Sequence, residues 1–102
     1  MMVSVGGFDW DAGNRDKCRK HGVSLTDIET LFRGPIAMHP TRLGGKEERF
    51  IAIGPTAEGR SVLVVFTLRR RGAKTMIRPI SARYMHRREI DHYEKAAKIE
   101  ER

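Results

Sequence analysis

The sequence predicts an α+β fold: two N-terminal helices, an antiparallel sheet of about four strands and a C-terminal helix. Helix-capping and helix-breaking residues punctuate the first 35 positions, and after them short apolar runs alternate with turn residues. A chain of 102 residues can form one modest core, so we expect a single domain over residues 1–102. Residues 1–7 are expected to be loosely ordered or to lead into a first strand.

The two helices are predicted from the residues at their ends. Asp11 can cap a helix that runs to about residue 20, and Gly22 supplies the left-handed residue that ends it. Ser24 can cap the second helix, with Asp27 at the third helical position. Gly34 and the proline after it stop this helix. Its apolar face has helical spacing and consists of Leu25, Ile28, Leu31 and Phe32.

Strands are predicted over residues 36–39, 49–53, 61–68 and 75–83. The unbroken apolar run of residues 62–66 indicates a central strand covered on both faces. Pro79 cannot donate a ladder hydrogen bond, so the fourth strand either lies at an edge or carries a bulge. We expect residues 69–74 to form a basic hairpin tip. A final helix is predicted from about residue 86 to residue 100, with an inward face that includes Ile90, Tyr93 and Ala97.

The net charge of +7 lies entirely in the second part of the chain. Residues 60–102 carry 12 basic and 5 acidic side chains, whereas residues 1–59 carry 8 of each. Clustered basic residues raise the local potential and attract phosphate, and arginine suits bidentate phosphate contacts. The asymmetry therefore favours a nucleic acid as partner, over a basic surface that serves only solubility.

Several other classes of protein and site are disfavoured. The longest apolar run is too short to span a bilayer, and residues 1–7 do not resemble a signal peptide. The lone cysteine, Cys18, cannot form an internal disulfide, so we expect a cytoplasmic protein with no membrane partner. Its spacing to His21 suggests a reactive thiol beside an imidazole, but a packing role for the cysteine is more common. The sequence has no zinc-ligand spacing and no glycine-rich phosphate loop, and we expect no metal or cofactor.

Basic side chains can nevertheless support RNA cleavage. When the 2′-hydroxyl is the nucleophile, the protein needs to align it, stabilise charge on the phosphate and help protons move. Arg83 ends a predicted strand, Lys20 and His21 lie at a helix end, and Arg49 begins a strand. These ends can converge in a small domain, although the sequence alone does not bring them together.

An ordered set of short motifs resembles the BrnT family of bacterial toxins from type II toxin–antitoxin pairs. The motifs occupy residues 8–11, 20–24, 48–54, 59–60, 62–65 and 80–83, followed by Arg88-Glu89 and Tyr93. The resemblance implies a RelE-like fold, a ribonuclease activity that arrests translation, and a cognate BrnA-type ribbon-helix-helix antitoxin. It also implies that operator DNA is bound only through the toxin–antitoxin complex.

With this resemblance, the residues suggest a metal-independent RNA endonuclease. Arg83 would stabilise the charge on the reacting phosphate, Lys20 and Arg49 would bind it, and Glu48 or His86 would move protons. His86 stands where the family pattern leads us to expect Ser or Thr. Long-range contacts to RNA are expected from Arg69, Arg70, Arg71, Lys74, Arg87 and Arg88. Two alternatives stay open: a non-enzymatic nucleic-acid-binding module such as a repressor subunit, and a domain that docks an acidic protein.

Overall fold

The structure is a computed structural model that describes residues 5–34, 37–41 and 48–91. Its helices are α1 (Ala12–Arg19) and α2 (Leu25–Leu31). A third helix, α3, begins at residue 87 and is described to residue 91. The strands are β1 (Val5–Phe8), β2 (Ala37–Thr41), β3 (Arg49–Pro55), β4 (Ser61–Arg71) and β5 (Lys74–Tyr84). The predictions for Tyr93, Ala97 and the rest of the last helix lie outside the described residues.

The five strands form one mixed sheet in the order β1-β5-β4-β3-β2. The α+β class is confirmed, but the prediction of four antiparallel strands is wrong, because β1 adds a fifth strand parallel to β5. Val5–Phe8 contains two glycines and is short, so it carries no alternating pattern that would indicate a strand. Its conformation depends on pairing with β5, which is distant in sequence.

The predicted basic hairpin tip at residues 69–74 is wrong in its extent. The ladder of β4 and β5 continues through Arg69↔Met76 to Arg71↔Lys74. The connection is therefore only two residues long, and Gly72 supplies the positive φ of +64° that such a tight turn requires. Arg69 consequently lies within the sheet and is half-buried.

Pro79 lies at a bulge, which is one of the two alternatives that the sequence predicts. The register passes from Val65↔Ser81 to Phe66↔Pro79, so Ile80 is the extra residue. The edge alternative is wrong because β5 lies between β1 and β4. The printed pairs of β1 with β5 end at Phe8↔Ile77, before the proline, so the missing N–H of Pro79 does not interrupt that ladder.

Helices α1 and α2 form a core with one face of the sheet. The buried residues of β4 that point to this side are Val62, Val64 and Phe66, and they cluster with Cys18 and Ile28 from the helices. β4 is the central strand, as predicted. A chain of ring contacts links Phe8, Phe32 and Phe66, with centroid separations of 5.8 and 5.0 Å. This packing fixes the end of α2 against that face of the sheet.

Both predicted helix caps are confirmed. The Asp11 side chain accepts a hydrogen bond from the Asn14 backbone N–H, and the Asn14 side chain accepts one from the Asp11 N–H. The Ser24 hydroxyl accepts a hydrogen bond from the Asp27 N–H at 3.0 Å. Gly22 has the predicted positive φ, of +86°. In the parts of the chain that the structure describes, every helix is too short or too polar to cross a bilayer.

Candidate nucleic-acid interface

The segment from Phe8 to Asp11 alternates between the two sides of the sheet. Phe8 and Trp10 pack against the core, and the Trp10 indole N–H donates to Glu29 of α2. Asp9 and Asp11 instead make ion pairs with arginines of β4 and β5. The aromatic residues of this segment therefore pack against the core, and its carboxylates lie toward the other face of the sheet.

That other face, which we call the arginine face, carries Arg49, Arg69, Arg78 and Arg83. Strand alternation places Arg69 on the side opposite Val62, Val64 and Phe66. Arg78 pairs with Thr67, and Arg83 pairs with Leu63, so both share the side of Arg69. Arg49 lies two residues before Ile51, which pairs with Val65 on the same side. Three adjacent strands thus present guanidinium groups to one side of the sheet.

A cleft of about 410 Å³, the arginine cleft, lies between α1 and this face. Its basic lining residues come from four different elements: Lys17 from α1, Arg49 from β3, Arg69 from β4 and Arg78 from β5. Its other lining residues are Asp11, Gly13, Asn14 and Ile80. Beside the bulge at Ile80, the Asn14 amide donates a hydrogen bond of 2.9 Å to the Pro79 carbonyl, and this bond holds α1 against β5.

Carboxylates hold Arg78 in place beside the cleft. Its Nη2 donates to Asp11 Oδ2 at 2.7 Å, and its Nη1 lies 3.7 Å from Asp9 Oδ2. Asp9 also accepts from Arg71 at 3.0 Å. The Asn14 N–H and the Arg78 guanidinium lower the pKa of Asp11 below its usual range. Asp11 is therefore ionised at neutral pH, which suits an arginine partner and not a general base.

Arg49 places a buried donor in the wall of the cleft. Its Nε is inaccessible to solvent and has no hydrogen-bond partner among the described residues. A buried donor without an acceptor costs free energy, so such groups usually mark a site that a ligand or water completes. The residue also lines the arginine cleft, where its positive charge favours an anion.

A second basic group, the Arg83 site, lies further along the same face. Both Arg83 Nη atoms donate to the Glu89 carboxylate, at 2.7 and 2.6 Å. Glu89 Oε1 also accepts from the His86 backbone N–H at 3.1 Å, which ties the start of α3 to the end of β5. On β4, Arg83 pairs with Leu63 and Arg78 pairs with Thr67. These two residues of β4 are four positions apart. At about 3.3 Å per residue, the Arg83 site is therefore roughly 13 Å along the strand from the arginine cleft.

The Arg83–Glu89 pair should make stability depend on pH in the acid range. Arg83 and the His86 N–H lower the pKa of Glu89 to about 2, so the folded state favours its ionised form. Stability from this group is complete above the ordinary pKa of glutamate and is lost as the pH falls towards 2. We expect the difference in unfolding free energy between wild type and Glu89→Gln to be constant near neutrality and to narrow below about pH 4.5. Urea unfolding across this range measures it, and a difference that does not vary with pH would contradict the role of the pair.

The remaining predicted site residues are exposed and lie apart from the cleft lining. Lys20 is at the C-cap of α1, and His86 precedes α3. The Glu48 carbonyl accepts from the Thr67 hydroxyl at 2.7 Å, and the residue borders a smaller cavity of about 170 Å³. The other exposed members of the predicted interface are Arg70, Arg71, Lys74, Arg87 and Arg88. The structure thus brings Arg49 and Arg69 together and leaves Lys20 outside their cleft.

Sequence reasoning missed Lys17, Arg78 and Asp11 as parts of the site. The available signal was the alternation of aromatic and acidic residues from Phe8 to Asp11, which implies that the two acids face away from the core. Cys18 is fully buried, and burial raises its pKa to about 11, which agrees with a packing role. Among the described residues, no three His, Cys, Asp or Glu side chains group in a way that could hold a metal ion.

A profile of the family described as "Ribonuclease toxin, BrnT, of type II toxin-antitoxin system" matches residues 10–89, well over half of the chain. The chain belongs to the BrnT family. The match runs from Trp10 to Glu89, and it includes all the described residues that line the arginine cleft, together with the Arg83–Glu89 pair. A search of curated proteins finds no match.

Family membership indicates which molecules the arginine face would contact. A BrnT chain is the ribonuclease toxin of a type II pair, so its substrate is RNA and its partner is an antitoxin. Guanidinium groups on one sheet face are suited to both, because RNA is a polyanion and an inhibitor can act by covering the same face.

Proposed function

We propose that this BrnT chain is a metal-independent RNA endonuclease with a RelE-like fold, and that it cleaves RNA bound along the arginine face. The observation that carries the proposal is the presence of Arg49, Arg69, Arg78 and Arg83 on one side of three adjacent strands. Fixed guanidinium groups can stabilise charge on a phosphate without a metal ion. The single-stranded form suits this face, since a flexible strand can follow donors placed at intervals along a sheet.

The proposed reaction begins with attack of an RNA 2′-oxygen on the adjacent phosphorus. The new P–O2′ bond forms as the P–O5′ bond breaks, the 2′-hydroxyl gives its proton to a base, and the 5′-oxygen receives a proton from an acid. Arg83 stabilises the charge that develops on the phosphate, and Glu89 positions its guanidinium through two parallel hydrogen bonds.

Proton transfer is assigned to His86 or Glu48. His86 is the nearer to Arg83 in sequence, and its backbone contacts the same Glu89 carboxylate. An imidazole can serve both as acceptor and as donor within one reaction, which favours His86. Glu48 directly precedes Arg49 and would act from the other end of the face. Lys20, exposed at the end of α1, would contact the RNA strand beyond the site.

The proposed partner is a BrnA-type antitoxin encoded separately. Basic side chains that surround the arginine face, including Arg71 and Lys74 at the β4–β5 turn, would steer an acidic segment of the antitoxin to it. Operator DNA would be contacted by the antitoxin within the complex, and the toxin would reach DNA only through that complex.

Cleavage of RNA by the purified chain is expected to continue in EDTA. The reason is that guanidinium groups on the protein supply the positive charge at the phosphate. The measurement compares initial rates on one labelled RNA without additive, with EDTA, and with EDTA followed by excess Mg²⁺. An activity that EDTA abolishes and Mg²⁺ restores would rule out the metal-independent mechanism. Tight RNA binding without cleavage under any condition would favour the non-enzymatic alternative.

A further inference from the structure

We propose that the arginine cleft is an anchoring subsite for a non-scissile phosphate of the bound RNA, separate from the Arg83 site. This inference rests on the proposed function, because it divides one RNA-binding face into an anchoring part and a reacting part. The ligand class is a phosphodiester of a single strand.

The first support is the origin of the cations. Lys17, Arg49, Arg69 and Arg78 come from a helix and three strands, so the fold itself must form for them to meet. Among the described lining residues, Asp11 alone contributes a carboxylate, and Arg78 already engages it. A volume of about 410 Å³ lies in the range of small-ligand sites and leaves room for a nucleotide unit as well as its phosphate.

The second support is that the donors are already in place. Asp9 and Asp11 fix the Arg78 side chain, which is only 20% exposed, before any ligand binds. The buried Arg49 Nε has no acceptor among the described residues. A preorganised arginine loses less side-chain entropy when it binds a phosphate.

The third support is the distance to the Arg83 site. Four residues of β4, or roughly 13 Å, separate the levels of Arg78 and Arg83 along the strands. Both Nη atoms of Arg83 donate to Glu89, which holds that guanidinium near the start of α3 and away from the cleft. One phosphate therefore does not occupy both places, and a strand held in the cleft can extend to Arg83.

The test uses a short, fluorescein-labelled single-stranded oligodeoxynucleotide, which lacks the 2′-hydroxyl and so reports binding without cleavage. The variants are Arg69→Gln, Arg78→Gln and Lys17→Gln. Lys17 is an exposed residue of α1, so Lys17→Gln tests the cleft even if Arg78→Gln does not fold. Arg33→Gln is the matched control, because it removes the same charge from an exposed residue that follows α2 on the opposite side of the sheet.

We expect each arginine substitution in the cleft to weaken binding about tenfold and to flatten its salt dependence by roughly 0.7 units of slope per lost phosphate contact. Arg33→Gln should change the affinity much less. Equal effects of the cleft variants and Arg33→Gln would overturn the subsite.

RNA cleavage separates this inference from the proposed function. In single-turnover assays, we expect Arg69→Gln to raise the RNA concentration needed for half-maximal rate far more than it lowers the maximal rate. A collapsed maximal rate with unchanged half-saturation would place the cleft at the scissile phosphate and overturn the inference. If the wild type cleaves no RNA but the cleft variants still bind the oligodeoxynucleotide more weakly than the wild type does, the nuclease mechanism is wrong and the phosphate subsite is supported.

Discussion

Arg83→Ala is expected to slow RNA cleavage at least a hundredfold, and to relieve the growth arrest that we expect from expression of the wild-type chain alone. Removing one preorganised donor at a charged transition state costs on the order of 2–4 kcal/mol of barrier. The measurement compares initial cleavage rates at equal concentrations of folded protein, together with protein synthesis in cells that express each form. Equal rates for the two proteins would remove Arg83 from the mechanism.

Glu89→Gln is the control that separates a chemical role of Arg83 from a structural one. Arg83 and Glu89 form one bidentate pair, so either substitution breaks the tie between β5 and the start of α3. The glutamine variant keeps the guanidinium, whereas Arg83→Ala removes it. We expect similar losses of stability in both variants but a much smaller loss of activity in Glu89→Gln. Equal losses of activity would contradict a chemical contribution of the Arg83 guanidinium beyond its pairing with Glu89.

The second large effect is inhibition by the antitoxin. We expect co-expression with the cognate antitoxin, which we propose to be BrnA-type, to yield a stable complex without ribonuclease activity. The net charge of +7 should give an acidic partner a fast association that slows as salt rises, while dissociation changes less. Co-purification followed by RNase assays and stopped-flow association at several salt concentrations tests both points.

Hydrogen exchange identifies the surface that the antitoxin covers. We expect protection in residues 69–88, which include most of the arginine face and the turn between β4 and β5. A variant with Arg78→Gln should bind the antitoxin more slowly than one with Arg33→Gln. A partner that binds while both the exchange of residues 69–88 and the RNase activity stay unchanged would contradict inhibition by covering this face.

The parts of the fold that the sequence predicts well are determined by neighbouring residues. Asp11 and Ser24 cap their helices through bonds to residues three positions later, and Gly22 acts through its own φ. The bulge at Pro79 is equally local, because proline lacks the donor that a regular ladder requires. The central position of β4 follows from its unbroken apolar run.

The parts that sequence does not predict depend on distant pairing. β1 is a strand only because β5 offers its edge some 70 residues later in the chain. The arginine cleft has the same origin, since α1 and three strands must assemble before Lys17, Arg49 and Arg78 meet. The sequence predicts Arg69 in an exposed basic tip of residues 69–74, after a strand that ends at residue 68. The two-residue connection instead extends the ladder and draws Arg69 into the sheet.

The most direct test of RNA cleavage by the protein's own residues changes one atom of the substrate. The purified chain is incubated in EDTA with an RNA strand and with the same strand carrying a single 2′-deoxyribose immediately 5′ of the cleaved bond. We predict that the RNA is cut to 2′,3′-cyclic phosphate or 3′-phosphate ends, and that the substituted strand stays intact at that bond, because the 2′-oxygen is the nucleophile. Cleavage of the substituted strand at the same bond, or cleavage only when a divalent metal is present, would contradict the mechanism.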